Sequence, residues 1–165
     1  MAFTIPSDLN PKLMPLAWLI GTWVGNGHGS WPGRGDFEYG IQVDFADNGS
    51  DYLHYICQTY LVDENSRPLE PLWMETGFWR PSEDKKIEVV LADPQGRAEV
   101  WVGDIDGAKI ALTTDLVART ETADPAVTGG QRLYGQVESD LWWAYDRASE
   151  DVKLQPYMWA KLKRA

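Results

Sequence analysis

The chain has 165 residues, enough for one domain with its own core, and no repeat or low-complexity run divides it. Its 25 acidic residues against 15 basic ones leave a net charge of −10, which argues against nucleic acid and anionic membrane surfaces as partners. Cys57 is the only cysteine, which rules out an internal disulfide; with no signal-peptide pattern and no apolar run of membrane-span length, a cytoplasmic protein is expected.

The first patterned segment is "NPKLMPLAWLIG", residues 10–21, where two prolines limit a predicted helix to residues 11–19. Next comes "GTWVGNGHGSWPG", residues 21–33, whose five glycines resemble a phosphate-binding loop. Such a loop must open a helix inside a parallel βαβ unit. Here it is followed by "DFEYGIQVDF", in which Phe37, Tyr39, Ile41, Val43 and Phe45 alternate with polar or small residues. Period-two alternation is a half-buried strand, so the glycines belong to a sheet, where they mark sharp bends or close backbone approach. Strands are predicted at 35–46 and 51–62, separated by the Asn-Gly turn signal of "DNGS". Others follow at 70–80, 86–93, 97–105 and 108–117, divided by "PSEDK", "DPQG" and "DIDG". A longer loop is predicted over 120–130, and "QRLYGQVE", "LWWAYDR" and "VKLQPYMWAKLKR" complete about ten strands.

Nearly every link is short, which suits antiparallel neighbours and leaves no room for helical crossovers. An open meander of this length would expose two long edges, and closure removes them. The expected fold is therefore an all-β, up-and-down antiparallel barrel of about ten strands, with a short N-terminal helix over one end; a β-sandwich is the alternative. The nine tryptophans either fill such a barrel or line an apolar pocket, and composition does not choose between them.

Catalytic chemistry is sparse. His54 and Cys57 stand at an odd offset, so a regular strand points them to opposite faces, and with His28 they do not make a metal site. No Gly-x-Ser-x-Gly elbow is present. Most acids sit in turns as solvated charge. Glu75 differs, because it shares a face with Trp73 and Gly77, and a buried pairing with Arg80 or Arg132 at the barrel mouth is expected. On residues alone, a small-molecule-binding module is the reading.

The segment "LAWLIGTWVGNGHGSWP" resembles the Gly-x-Trp-x-Gly-x-Gly signature of the nitrobindin family, with Gly21, Trp23, Gly25 and Gly27 at the signature positions. The resemblance continues through "HYICQTY", "PLEPLWMETGFWRP", "IEVVLADPQGRAEVWVGDI" and "LQPYMWAKLKR", hence over essentially the whole chain. It implies a ten-stranded barrel like those of the fatty-acid-binding proteins, with haem b at the mouth on a single histidine. It also implies nitric oxide binding and isomerisation of peroxynitrite to nitrate.

The departures fall on the implied haem pocket. Tyr157 stands where the family has its axial histidine, Trp73 where it has a distal histidine, and Gly33 where a threonine usually lies near the haem. Met158 is a further candidate donor, expected on the opposite pleat from Tyr157. This pattern resembles the ferric nitrobindin-like branch. It implies no resident cofactor, no catalytic residue and no metal ligand, and leaves another small apolar or aromatic ligand, or a structural role, as the remaining roles. The alternative keeps haem b on Tyr157 with residual peroxynitrite isomerase activity. A homodimer is compatible with either.

Overall fold

The computed structural model describes residues 3–165. A 3-10 helix, Pro11–Leu19, precedes ten strands: β1 Gly21–Trp31, β2 Gly35–Ala46, β3 Leu53–Val62, β4 Pro68–Pro81, β5 Lys86–Asp93, β6 Arg97–Ile105, β7 Lys109–Arg119, β8 Val127–Val137, β9 Asp140–Ser149 and β10 Gln155–Arg164. Each strand pairs antiparallel with its neighbours in sequence, and β1 pairs with β10 to close the barrel. Closure leaves no open edge, which disposes of the sandwich. No helix among the described residues is long and apolar enough to cross a membrane.

The N-terminal segment winds as a 3-10 rather than an α-helix. Pro15 lies inside it without an N–H to donate, and its ends are tied by i to i+3 bonds, Leu13 N–H to Asn10 O at 2.9 Å and Ile20 N–H to Ala17 O at 3.2 Å. Leu13, Leu16, Ala17 and Leu19 are buried against the barrel end where β1 begins. Trp23 is fully buried there; its indole N–H donates to Leu19 O at 2.9 Å, and the Arg164 guanidinium covers its ring.

Two predicted boundaries move. The "DNGS" signal sits in a six-residue connection, 47–52, and β3 begins at Leu53 rather than at residue 51. The longer loop ends early, because β8 starts at Val127, which is buried opposite Ser149. Gly129 and Gly130 read as loop residues but lie within that strand. A Cβ on Gly130 would stand 2.5 Å from Asp146 O, so close approach selects glycine there.

Close approach also explains the signature glycines. β1 keeps its register with β2 and β10 without a break, so no bulge interrupts it. A Cβ on Gly25 would lie 2.1 Å from the Lys161 carbonyl oxygen, and one on Gly27 2.2 Å from that of Trp159. The Tyr39 hydroxyl reaches over Gly27 to donate to Trp159 O at 2.9 Å. Because the obstruction at Gly25 is backbone, Gly25→Val is expected to lower stability by at least about 1–3 kcal/mol in a denaturant titration. An unchanged midpoint would show that the strands can move apart there.

Candidate functional site

Inward residues fill the lower and middle barrel. Phe45, Tyr55, Trp79, Tyr134 and Trp143 pack ring on ring, with Trp79 edge-on to Phe45 at 5.1 Å and to Tyr134 at 4.9 Å. Four of the nine tryptophans, Trp23, Trp79, Trp101 and Trp143, are therefore filler, while Trp31 and Trp73 line a cleft, so the chain uses them in both of the ways composition left open. Among them lies Glu75, whose carboxylate accepts from both terminal nitrogens of Arg132, at 2.5 and 2.9 Å, and from the Tyr55 hydroxyl at 2.8 Å. Both charged side chains are fully buried. The Arg132 guanidinium is also sandwiched against the rings of Tyr145 (4.2 Å) and Trp101 (4.6 Å). The expected partner is thus Arg132; Arg80 is on the outer surface beside Glu88. The pair stands at mid-height, opposite Cys57 and Tyr145, rather than at the mouth, and it belongs to the core.

Above this floor is a cleft of about 360 Å³, lined by Trp31, Pro32 and Gly33 of the β1–β2 turn, by Leu72 and Trp73 of β4, and by Arg97, Arg147 and Tyr157. That volume lies in the lower part of the range for small-molecule sites, roughly 300–1,000 Å³. The turn is tight: Arg34 N–H donates to Trp31 O at 3.0 Å, and Gly33 has φ +86° after Pro32, the pattern of a type II turn. Gly33 therefore has a backbone reason to be glycine, whatever once stood there.

Two β-bulges shape the rim. On β10 the register slips between Pro156 and Met158, leaving Tyr157 as the extra residue. Met158 then pairs opposite Tyr145 and Gly29 and is buried, while the Tyr157 ring also turns inward against Trp31, Phe37 and Tyr145. The expected opposite pleats do not hold, because a bulge puts consecutive side chains on one side. Met158 is buried beneath the rim and does not line the cleft. On β4 the step from Thr59–Trp73 to Tyr60–Pro71 leaves Leu72 unpaired, so Leu72 and Trp73 both face the cleft. The two histidines are elsewhere: His28 lies outside near Glu38 at 3.4 Å, and His54 bonds Thr76 Oγ1 at 3.0 Å on the outer face. Cys57 is buried on the inner face, as the odd offset requires, and burial raises its thiol pKa far above the ordinary value.

Arg147 is the residue that sequence reasoning missed. Its guanidinium lies over the Tyr157 ring at 3.6 Å and over Trp31 at 4.2 Å. The signal was present: in "LWWAYDR", Trp143, Tyr145 and Arg147 share one face, so a charge stands in phase with core aromatics. The same holds for Arg97, Glu99 and Trp101 in "RAEVWVGDI". Arg97 is paired, with Nε on Asp93 Oδ2 at 2.8 Å, both side chains buried. Glu99 is buried with one carboxylate oxygen unbonded, and its pKa is pushed up to about 7, mainly by burial.

A family profile described as "THAP4-like, heme-binding beta-barrel domain" matches residues 12–164. The chain belongs to the nitrobindin family. A ferric nitrobindin-like protein of Cutibacterium acnes is 63% identical over the full length of both chains. The nitrobindin relative named peroxynitrite isomerase in Nocardioides sp. is 42% identical over 99% of each chain. In three dimensions, Rv2717c from M. tuberculosis superposes with a TM-score of 0.85 at 33% identity, covering 96% of this chain and 99% of that one. Nitrobindin membership and the closed barrel are thus common to sequence and structure.

Proposed function

We propose that this chain is a nitrobindin barrel without histidine-ligated haem, which holds a small, largely apolar ligand at its mouth. The carrying observation is the pairing of Tyr157, in the family's ligand stretch, with the outward positions of both His28 and His54. A haem on histidine needs an imidazole inside the mouth, and no histidine is among the residues that line the cleft. Trp73 adds bulk on the facing wall. These residues do not fit the group, and no isomerase step is assigned to them.

Haem titration followed by absorption tests this. The purified protein is expected to be colourless, and added ferric haem to give no saturable one-to-one Soret band. Tyr157→His is expected to restore uptake, alone or with Trp73→Ala. Wild-type protein that leaves the cell red with stoichiometric haem would overturn the reading.

One observation favours a second reading. Tyr157 lines the cleft with the Arg147 guanidinium over its ring, and a tyrosine oxygen can hold ferric haem. That reading, which would keep the activity named for the Nocardioides relative, expects a ferric tyrosinate spectrum that Tyr157→Phe abolishes.

A further inference from the structure

Arg147 is 4% exposed, its Nε is buried without a hydrogen-bond partner, and no carboxylate pairs with its guanidinium among the described residues. It differs in this from the other two inward arginines, since Arg97 has Asp93 and Arg132 has Glu75. A buried cation without a counter-charge is costly. Contact with the faces of Trp31 and Tyr157 offsets part of that cost but leaves the Nε–H without an acceptor. Burial accordingly lowers the pKa of Arg147 from the ordinary arginine value, whereas Arg132 is held above it by Glu75 against the pull of desolvation.

The surroundings repeat the imbalance. With Arg97 balanced by Asp93, Arg34 and Arg147 line the cleft against one further acid, Asp124, although the whole chain carries a net charge of −10. Apart from Gln95, the rest of the wall is largely apolar, and Trp31, Trp73 and Tyr157 give it flat faces. A basic pocket on a strongly acidic protein focuses negative ligands at that one place.

We propose that the mouth cleft binds a small planar anion, an aromatic carboxylate, with the carboxylate on Arg147 and the ring against the tryptophan wall. Resting on the proposed haem-free mouth, this names the missing counter-charge as part of the ligand. A guanidinium offers a carboxylate two parallel N–H donors, and flat aromatic walls select a flat body over a branched one.

Benzoate, its uncharged isostere benzamide, and inorganic phosphate are the probes, titrated into the haem-free protein by calorimetry and tryptophan fluorescence. Benzoate is expected to bind one-to-one, at least about tenfold more tightly than benzamide, a ratio appropriate to a charged hydrogen bond. Phosphate, which has no ring, is expected to bind more weakly than benzoate. Arg147→Gln is expected to abolish the preference for benzoate over benzamide while keeping the thermal midpoint at or above that of the wild type, since an unpaired buried charge has been removed. If that variant does not fold, Trp73→Ala serves instead, and should weaken benzoate and benzamide alike. Equal binding of benzoate and benzamide, phosphate as tight as benzoate, or no binding at millimolar concentration would overturn the proposal. Haem is titrated in parallel. A Soret-forming complex with wild-type protein defeats the haem-free reading, whereas absent benzoate binding without haem uptake defeats only the anion site.

Discussion

Glu75→Ala is expected to destabilise the protein by about 3–5 kcal/mol, a large share of the stability of a domain this size. The reason is what it leaves behind. Arg132 is fully buried, and its charge is balanced at Glu75 by the two carboxylate contacts at 2.5 and 2.9 Å. Removing the acid strands that guanidinium among Trp101, Tyr145 and Trp143, whose ring faces recover only part of the loss. The Tyr55 hydroxyl loses its acceptor as well. A double variant, Glu75→Leu with Arg132→Met, should cost much less than the single one, because both desolvation penalties disappear together. Urea unfolding of wild type, both singles and the double completes the cycle. Additive costs would mean that the pair is not coupled as its geometry requires.

Glu99→Gln is expected to stabilise the protein at alkaline pH, by up to about 3 kcal/mol, from a carboxyl pKa raised from 4.5 to about 7. Burial is the leading cause; Arg132 pulls the value down, and Glu75 pushes it up. Because the folded-state pKa exceeds the unfolded one, the neutral acid suits the fold. Its stabilising effect is complete below about pH 4.5 and is lost as pH rises through 7. The wild type should therefore fall behind the Gln variant between those values, by about 6–12 °C of thermal midpoint at pH 8. The two should converge near pH 4.5. Other carboxylates titrate in both proteins and cancel in the difference. A gap independent of pH would mean that Glu99 keeps its charge by bonding its free oxygen to water.

Much of the barrel could be read before any coordinates, because its strands obey one simple period. Phe37 to Phe45 alternate apart from the buried Gly40, and Ile87 to Leu91 alternate throughout, with short polar turns between runs. Closure followed from the number of strands and the shortness of the links. What was hidden depends on neighbours in space. Gly129 and Gly130 resemble a loop until the Asp146 carbonyl is seen beside Gly130. The bulges at Leu72 and Tyr157 are mismatches between two strands and have no signature in either one. They decide the candidate site, by turning Tyr157 inward with Met158 and by bringing Leu72 alongside Trp73. Glu75 was visible as an acid in phase with aromatics, and the same test on "LWWAYDR" would have found Arg147. Its lack of a counter-charge could not have been found that way, since a missing partner is a fact about every surrounding strand.

The solid lower barrel has a consequence for how such a molecule changes over time. Its buried apolar side chains are concentrated in the plug helix and the ring-packed middle, whereas the mouth is assembled from a turn, two bulges and a handful of side chains. Exchanges among Trp31, Trp73, Arg147 and Tyr157 can thus alter what is held with little effect on whether the chain folds. The foundation and the binding chemistry are separable units of inheritance, so a lineage can give up one ligand and acquire another without passing through an unfolded ancestor.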